Sequence, residues 1–580
     1  MAKAIIIIFL FIQSIVFSQV QDLMENNLLN AIPKEDIVLY TNDNIFLSGE
    51  TIYYKTHILN NENKTPSVLS KIGYIELIDK NRKVLFRHKL VLENGVASSD
   101  FFIPASIKTG HYKLLGFTKW MLNNSDKPFL QKDIVIINPY IPNKLSKVEI
   151  LTDNIKEQLT IQPHKIIKPD NVEQDNGITL TTEFNTYKTR TKINIEIKAI
   201  KKTNLNANLA ISIRKLNSIS PSDNFNKLET PINLINNKMY LPELRGEIIS
   251  GTIVNKNDQS KAAKKTIALS IPSNTYIYKN IVSDTQGKFY FNIKSNYSTP
   301  KAILQLIDSD YESYKINLDS LIFPYYQYLN FKEVYLNETI KNWIVTKNIS
   351  NQIENAYSTL KTDTIKPYNA PKPFYGNPSV SYVLDDYKRF KTLKETFVEV
   401  VEGAGIRTEN NKSRLIVYRY DEFNVNEYSN NAPLVLFNGI YIKDFSNIIG
   451  YDPYNIKKID LIRGIYFYGS KTFNGIVDIS TKENTTDIPL YDEHATVFNL
   501  LMPEQKKIYF QPNYSENFEK LKRIPDYRYQ LLWKPDIELH SEPIELECFT
   551  SDIKGVFEIK LKGNLENGQT VELKKYIEVL

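Results

Sequence analysis

Short runs in which apolar and polar residues alternate recur along most of this 580-residue chain. In the strictest run, Ile193, Ile195 and Ile197 alternate with polar residues, and the stretch from Leu209 to Ile213 repeats the pattern. A period of two is typical of strands that pack one face and leave the other in water. Because turns rich in glycine and asparagine separate these runs, the sequence predicts a mainly β chain of antiparallel sandwiches.

The length predicts several domains rather than one core, because a domain averages about 150 residues. In the middle of the chain, Ile340 and Ile344 fall at helical spacing, and Asp385–Asp386 are expected to cap a short helix that includes Leu393. We expect β-sandwiches at residues 28–142, 175–240, 241–322 and 495–580, a helical, proline-rich linker at 330–395, and a small α+β domain at 396–485.

The N-terminal residues 1–18 have the features of a secretory signal peptide. Lys3 precedes an apolar run from Ala4 to Ile12, and Val16 and Ser18 occupy the −3 and −1 positions of a cleavage site before Gln19. The apolar run is shorter than the ~20 residues that a transmembrane helix needs. We therefore expect an exported chain without a transmembrane helix, located in the periplasm or associated with the outer membrane.

The charge balance argues against nucleic acid as a partner. The chain has 72 basic and 66 acidic residues, and most of the basic ones are lysines. Lysine is a hydrated point charge and lacks the planar fork with which arginine reads phosphates and bases. We expect no nucleic-acid partner.

The sequence contains no recognisable catalytic or metal-binding motif. The six histidines are scattered, and the single cysteine excludes an intramolecular disulfide. Cys548 continues the apolar alternation of Ile544 and Leu546, which predicts a buried, unreactive thiol. The sequence therefore predicts a protein that is not an enzyme, with no catalytic residue, no bound cofactor and no metal site.

The first sandwich resembles the MG2-type macroglobulin domain. The resemblance rests on Ser48–Thr51, which reads S-G-E-T, and on Gly110–Leu114, which reads G-H-Y-K-L. The next two ranges look like a second macroglobulin-like sandwich and a carboxypeptidase-regulatory-like sandwich, and residues 495–580 look like an immunoglobulin-like module. A macroglobulin thioester needs Gln three residues after Cys, whereas Ser551 stands there after Cys548. The resemblance therefore does not extend to covalent protease trapping.

Residues 396–485 resemble the plug domain of TonB-dependent outer-membrane receptors. Pro433–Gly439 is similar to the plug's P-L-V-L-x-D/N-G strand and turn, and Tyr451–Ile462 is similar to its helix-to-strand step. Tyr466–Thr481 is similar to the Y-G-x-x-x-x-N-G-V-I-x-I-x-T hairpin. Gly469 and Gly475 would permit tight turns between its short strands.

The plug resemblance departs from a receptor in one respect. A receptor barrel of 22 strands would need roughly 220 residues, whereas about 95 residues follow the plug-like range. The domain is therefore expected to lack its own barrel, and to serve either as a scaffold or as a docking surface with short edge strands. The candidate docking residues, all in predicted turns, are Asn438, Gly439, Tyr468, Gly469, Asn474 and Gly475.

Two functions of different classes follow from these resemblances. The first is a non-enzymatic accessory or scaffold protein of the Gram-negative outer membrane, which binds a β-barrel protein or an envelope complex through its plug-like and sandwich domains. The alternative is a soluble ligand-binding or adhesion protein whose sandwiches bind peptide or glycan. Peripheral membrane association is compatible with the first hypothesis.

Overall fold

A computed structural model of the chain describes residues 32–124, 127–142, 145–146, 158–164, 171–200, 206–221, 239–273, 275–294, 297–320, 323, 325–366, 372–409, 412–418, 431–483, 491, 493–516 and 518–580. The predicted signal peptide lies outside the described residues. The described chain is mainly β and multidomain, as the alternation predicts. Among the residues that the structure describes, no helix combines the length and the apolar character needed to span a bilayer.

The strands are numbered in chain order. The first sixteen are β1 (Glu35–Thr41), β2 (Ile45–Leu47), β3 (Thr51–Asn60), β4 (Ile72–Ile78), β5 (Val84–Val91), β6 (Val96–Phe102), β7 (Gly110–Phe117), β8 (Leu130–Ile137), β9 (Leu145–Ser146), β10 (Gln158–Pro163), β11 (Gln174–Asp175), β12 (Ile178–Thr182), β13 (Thr186–Tyr187), β14 (Lys192–Ala199), β15 (Ala207–Lys215) and β16 (Ile219–Pro221).

The remaining strands are β17 (Glu247–Asn255), β18 (Thr266–Ile271), β19 (Ile277–Val282), β20 (Lys288–Ile293), β21 (Lys301–Leu306), β22 (Tyr314–Leu318), β23 (Glu333–Asn337), β24 (Thr364–Ile365), β25 (Val380–Val383), β26 (Ala404–Glu409), β27 (Lys412–Val417), β28 (Leu434–Phe437), β29 (Ile440–Tyr441), β30 (Ile456–Tyr468), β31 (Lys471–Thr481), β32 (Thr496–Asn499), β33 (Lys507–Ile508), β34 (Gln530–Leu539), β35 (Ile544–Phe549), β36 (Gly555–Leu565) and β37 (Thr570–Val579). The α-helices are α1 (Lys341–Ala356), α2 (Leu393–Glu399) and α3 (Phe518–Leu521).

The chain forms two compact units. The first unit comprises Met1–Leu244, Pro324–Lys366 and Gln505–Leu580, and the second comprises Arg245–Phe323 and Pro367–Glu504. Each unit is therefore assembled from segments that are distant in sequence.

The first unit begins with a sandwich of two sheets, in the range expected from the sequence. One sheet has the order β1-β3-β6 and the other has the order β2-β8-β7-β4-β5. Its core contains Phe46, Tyr54, Leu77 and Leu114, each buried completely. The turn before β3 requires a glycine, because Gly49 has a φ of 89°. This is the turn of the S-G-E-T sequence.

The second sandwich of this unit is built from two distant parts of the chain. Its sheets have the orders β11-β12-β14-β35 and β13-β37-β36-β15-β34. The sequence analysis assigned residues 175–240 and 495–580 to separate sandwiches, but strands of both ranges share one hydrophobic core, with Ile195, Ile211, Cys548 and Leu561 among its members. Alternation identifies the face that a strand buries, and it carries no information about which strand covers that face. Residues 201–205 and 222–238 of the first range lie outside the described part.

A small sheet and helix α1 complete the first unit. The sheet has the order β16-β10-β23-β9. Trp343 and Ile344 of α1 pack on a core that includes Leu47, Ile161 and Leu336. The helical spacing noted in residues 330–395 thus corresponds to a real helix. β24 and β33 pair separately as a two-stranded sheet.

The second unit contains one sandwich and one mixed domain. The sandwich has sheets of order β20-β17-β22 and β19-β18-β21-β32, so that β32, from the range 495–580, completes the sandwich expected at 241–322. We use the name mixed domain for residues 380–481. Its sheet has the order β25-β30-β31-β28-β29, and helix α2 and the hairpin β26–β27 accompany it.

The N-terminal cap of helix α2 differs from the prediction made from the sequence. Asp385 and Asp386 do not cap the helix that contains Leu393. Thr392 does so, with its hydroxyl accepting from Glu395 N and the Glu395 carboxylate accepting from Thr392 N. The capping-box sequence T-x-x-E lies closer to the helix than the aspartate pair does, and it satisfies the free N–H groups of the first turn. Asp385 instead pairs with Arg389 and Lys482.

Candidate functional site

The turn between β28 and β29 is built on Asn438 and Gly439. Both have positive φ, 48° and 79°, as a two-residue hairpin turn requires. The side chain of Asn438 is 2% exposed, accepts from Thr481 N at 2.9 Å and donates to Thr481 Oγ1 at 2.8 Å. A Cβ at Gly439 would lie only 2.1 Å from Cβ of Tyr276. The turn therefore packs against the sandwich of its own unit.

The turn between β30 and β31 has the same environment. The hydroxyl of Tyr468 donates to the carbonyl of Tyr278 at 2.7 Å, and the two rings stack at 5.8 Å. Gly469 has a φ of 57°, and a Cβ there would lie 2.2 Å from Oδ1 of Asn280. That oxygen also accepts from Ser470 N at 2.8 Å. The hairpin tip is thus seated on β19.

The last two candidates, Asn474 and Gly475, lie inside the mixed domain. Asn474 is 4% exposed and donates from Nδ2 to the carbonyl of Val417 at 3.1 Å. Gly475 has a φ of 88°, and a Cβ there would lie 2.7 Å from the carbonyl oxygen of Ile462 and from Val417. The six candidates are therefore turn and packing residues that position the β30–β31 hairpin.

A tyrosine–carboxylate cluster, absent from the sequence analysis, fixes the same hairpin. Oδ2 of Asp478 accepts hydrogen bonds from the hydroxyls of Tyr276 and Tyr375, each at 2.6 Å. Asp478 is 2% exposed, and burial raises the pKa of its carboxyl above the usual value. Asp460 lies directly opposite on β30, bonded by Ser381 at 2.6 Å and paired with Lys458. No sequence pattern links tyrosines so far apart to a carboxylate.

The outer part of β30 carries an apolar surface that the sequence analysis also missed. Phe467 is 77% exposed and Ile465 is 49% exposed, whereas Tyr466 and Tyr468 alternate with them on the face that packs toward Phe374. The sequence does contain a signal for this surface. All four residues are apolar or aromatic, so neither face of the strand carries the polar side chains that a solvent-facing side usually has. A register shift between Ile462 and Ile465 marks a bulge that re-aims these side chains.

We use the name open edge for Gly464–Tyr468 of β30. On one side, β31 pairs with this segment, from Ile465 opposite Asn474 to Tyr468 opposite Lys471. On the other side, β25 pairs with β30 only as far as Leu461, and no other strand of the described chain takes its place. The segment reads G-I-Y-F-Y and contains neither a charge nor a proline.

The described residues include no group of side chains arranged to bind a metal ion, and their one cysteine is buried. Within the ranges that the structure describes, no three His, Cys, Asp or Glu side chains are placed to hold a metal ion. Cys548 is 1% exposed, and burial raises the pKa of its thiol to about 12. The thiol is therefore protonated at neutral pH, as the alternation around it predicts.

Comparison with known proteins gives distant likenesses only. No protein-family model matches the chain, and no curated protein matches it. The chain is similar to Salmonella alpha-2-macroglobulin reacted with methylamine, with 8% identity and a TM-score of 0.23 over 95% of this chain and 40% of that one. It is also similar to trypsin-activated alpha-2-macroglobulin from Escherichia coli, with 8% identity and a TM-score of 0.23 over 94% and 41% of the two chains.

A third similar structure is Escherichia coli alpha-2-macroglobulin activated by porcine elastase, with 8% identity and a TM-score of 0.24 over 94% of this chain and 44% of that one. The chain thus spans less than half the length of each of these proteins. A likeness this distant carries no argument about function.

Proposed function

We propose that the protein is a non-enzymatic accessory or scaffold protein of the Gram-negative outer membrane, and that the open edge of β30 binds an extended strand of a β-barrel partner. The observation that carries the proposal is Phe467, which is 77% exposed on an edge that lacks a partner strand among the described residues. The resemblance of residues 396–485 to a receptor plug, and the export signal expected at residues 1–18, indicate the compartment and the class of partner.

Strand addition matches the chemistry of this edge. A partner strand would form main-chain hydrogen bonds with Gly464–Tyr468, and its alternate side chains would cover Ile465 and Phe467. Exposed edges in soluble proteins are usually protected by lysine, proline or a covering loop, because an unprotected edge invites pairing with other chains. The G-I-Y-F-Y segment has no such protective residue.

The six candidate residues of the sequence analysis have a supporting role in this proposal, although Asn474 and Gly475 lie within strand β31 rather than in a turn. Gly439 lets the β28–β29 turn approach Tyr276 closely, and Gly469 lets the tip of the β30–β31 hairpin approach Asn280, so both turns are held on the sandwich of the same unit. A rigid edge binds a partner strand with a smaller loss of conformational entropy than a mobile one would. The scaffold and docking roles are therefore compatible in one domain.

The proposal is tested with a photo-crosslinking amino acid at position 467 in cells of the native host. The matched control carries the same amino acid at Val398, which is 66% exposed on helix α2 of the same domain. We expect one dominant β-barrel protein to crosslink at position 467 but not at 398, and to be lost from mild-detergent purifications of Phe467→Lys. Equal crosslinking at both positions, or recovery of a lone monomer from both proteins, would contradict the proposal.

A second candidate function, the binding of a small ligand by the sandwich domains, is favoured by a separate feature of the first unit. This candidate depends on a cavity in the first unit that shares no residue with the mixed domain.

A further inference from the structure

The first unit contains a cavity of about 220 Å³. Its walls come from the turn and first residues of β3 (49–53), one side of helix α1, residues 509–511, and residues 527–533 at the start of β34. Asn355 and Ser358 are exposed at its rim, so the cavity is accessible from solvent. Sites for drug-sized ligands occupy roughly 300–1,000 Å³, so this cavity suits a smaller molecule of about one ring.

The cationic side chains around the cavity are already neutralised by ion pairs within the protein. Two arginines and one lysine line it, and each of them bonds a carboxylate of this chain. The pairs are Arg214 with Asp43 (2.9 Å) and Glu50 (2.8 Å), Lys361 with Glu354 (2.7 Å), and Arg528 with Asp526 (2.6 Å). An anionic ligand would have to compete with these buried pairs, which are costly to break. The lining therefore disfavours an anionic ligand.

Three neutral polar atoms of the lining have no hydrogen-bond partner among the described residues. They are two donors, Nε1 of Trp533 and Nδ2 of Asn351, and one acceptor, Oε1 of Gln511. Trp533 is 5% exposed and Asn351 is 9% exposed, so these groups are withdrawn from bulk water. Buried polar groups are nearly always paired in native proteins. Their concentration around one cavity points to a ligand that both accepts and donates.

The cavity also has an aromatic wall. The ring of Tyr53 stacks on Trp533 with centroids 5.8 Å apart and meets Tyr509 edge-on at 5.0 Å. Aromatic faces carry partial negative charge and attract C–H groups that carry partial positive charge. A saturated ring that presents several C–H bonds on one face would pack well against this wall.

We propose that this cavity binds a neutral sugar residue. Each hydroxyl of a sugar donates one hydrogen bond and accepts others, which matches the two free donors and the one free acceptor. The C–H face of the pyranose ring matches the wall formed by Tyr53 and Trp533. The absence of an unpaired cation in the lining separates this class from phosphates, carboxylates and acidic sugars. The site is distinct from the open edge of β30, and it stands whether or not that edge binds a partner.

The test is isothermal titration calorimetry of the full-length protein with glucose, galactose, mannose and N-acetylglucosamine, and with trialanine as the peptide probe. We expect saturable binding of at least one sugar at millimolar concentration or below. Asn351→Ala and Trp533→Phe each remove one donor, and each is expected to weaken binding about threefold to tenfold. Trp533→Phe keeps an aromatic ring in the wall, so loss of the N–H is separated from loss of packing.

The control is Asn208→Ala. The Oδ1 atom of Asn208 is also buried without a partner among the described residues, but Asn208 does not line the cavity. This variant should bind sugar like the unmodified protein. Ser358→Trp adds a large side chain at an exposed position of the mouth, and it should also weaken binding.

Three results would overturn the proposal: no saturable binding of any of the four sugars, binding of trialanine in place of sugar, or sugar binding that Asn351→Ala and Ser358→Trp leave unchanged. The first result would mean that water alone fills the cavity. All three results can be obtained whether or not the open edge of β30 binds a partner strand, so failure of this proposal is distinguishable from failure of the proposed function.

Discussion

The hydroxyl of Tyr276 lies 2.6 Å from Oδ2 of Asp478 and donates a hydrogen bond to a carboxylate that is 2% exposed. Tyr276→Phe removes this donor and keeps the ring that covers Gly439. We expect it to destabilise the second unit by about 1–3 kcal/mol, because a buried carboxylate loses a partner. Hydrogen–deuterium exchange of the β19 and β31 amides measures the effect. Tyr290→Phe, at a tyrosine that is 39% exposed on β20, is the control and should change exchange little.

The carboxyl of Asp478 predicts a specific pH dependence. Burial raises the folded-state pKa of this carboxyl above its unfolded value, so the folded protein binds the proton more tightly than the unfolded chain does, and the stability this contributes is lost as pH rises through the folded pKa. The amide of Asp478→Asn does not titrate, so this variant lacks the pH-dependent contribution of the carboxyl. The free energy of local opening of β31 in this variant, relative to the unmodified protein, should therefore rise as pH increases above the ordinary aspartate pKa of about 4.

Hydrogen exchange of β31 measured at several pH values provides the test. The exposed Asp386→Asn variant should show no such trend. A difference between Asp478→Asn and the unmodified protein that is the same at every pH would contradict the titration of Asp478.

Gly439 should tolerate no side chain. Gly439→Ala places a Cβ 2.1 Å from Tyr276 and also requires a positive φ of 79°. Gly376 separates the two effects, because its φ is 75° and a Cβ there would meet nothing within 4 Å. We expect Gly376→Ala to cost about 1–2 kcal/mol from backbone strain alone, and Gly439→Ala to cost about 1–3 kcal/mol more. Equal urea midpoints for the two variants would show that the contact with Tyr276 is dispensable.

Glu50 should be an acid-sensitive element of the first unit. Burial alone would raise its pKa, but the charges of Lys347 and Arg214 lower it below the usual value. A lowered carboxyl pKa contributes stability that is lost as pH falls through it, which is the opposite sign from Asp478. Glu50→Ala leaves Lys347 buried without this partner and should cost about 3–5 kcal/mol at neutral pH.

Urea unfolding of Glu50→Ala at neutral and acidic pH, with the exposed Glu62→Ala as control, measures this effect. The cost of Glu50→Ala should shrink on acidification. A cost that stays constant to low pH would show that Glu50 is not ionised in the folded protein.

Local features of the fold were predictable from the sequence because they depend on near neighbours. The alternation at Ile193–Ile197 corresponds to β14, and the turn residues Asn438 and Gly469 occupy real hairpin turns with positive φ. The pairing of β14 with β35 was not predictable, because either strand could cover any apolar face of suitable width. The same holds for the candidate site. Turn chemistry identified the hairpin, but the seating of its tip against Tyr278 and Asn280 depends on strand β19, which lies 190 residues earlier in the chain.

The second sandwich of the first unit closes around bonds such as that from Thr191 N to Thr550 Oγ1, which joins residues 359 positions apart. During synthesis, β12, β14 and β15 emerge long before β34–β37, and their apolar faces have no cover in the meantime. Contacts of such long range slow folding and prolong the exposure of unpaired strands. A stop codon shortly before the region that encodes β34–β37 would therefore leave a sandwich without almost half of its strands, although its first half had been translated correctly.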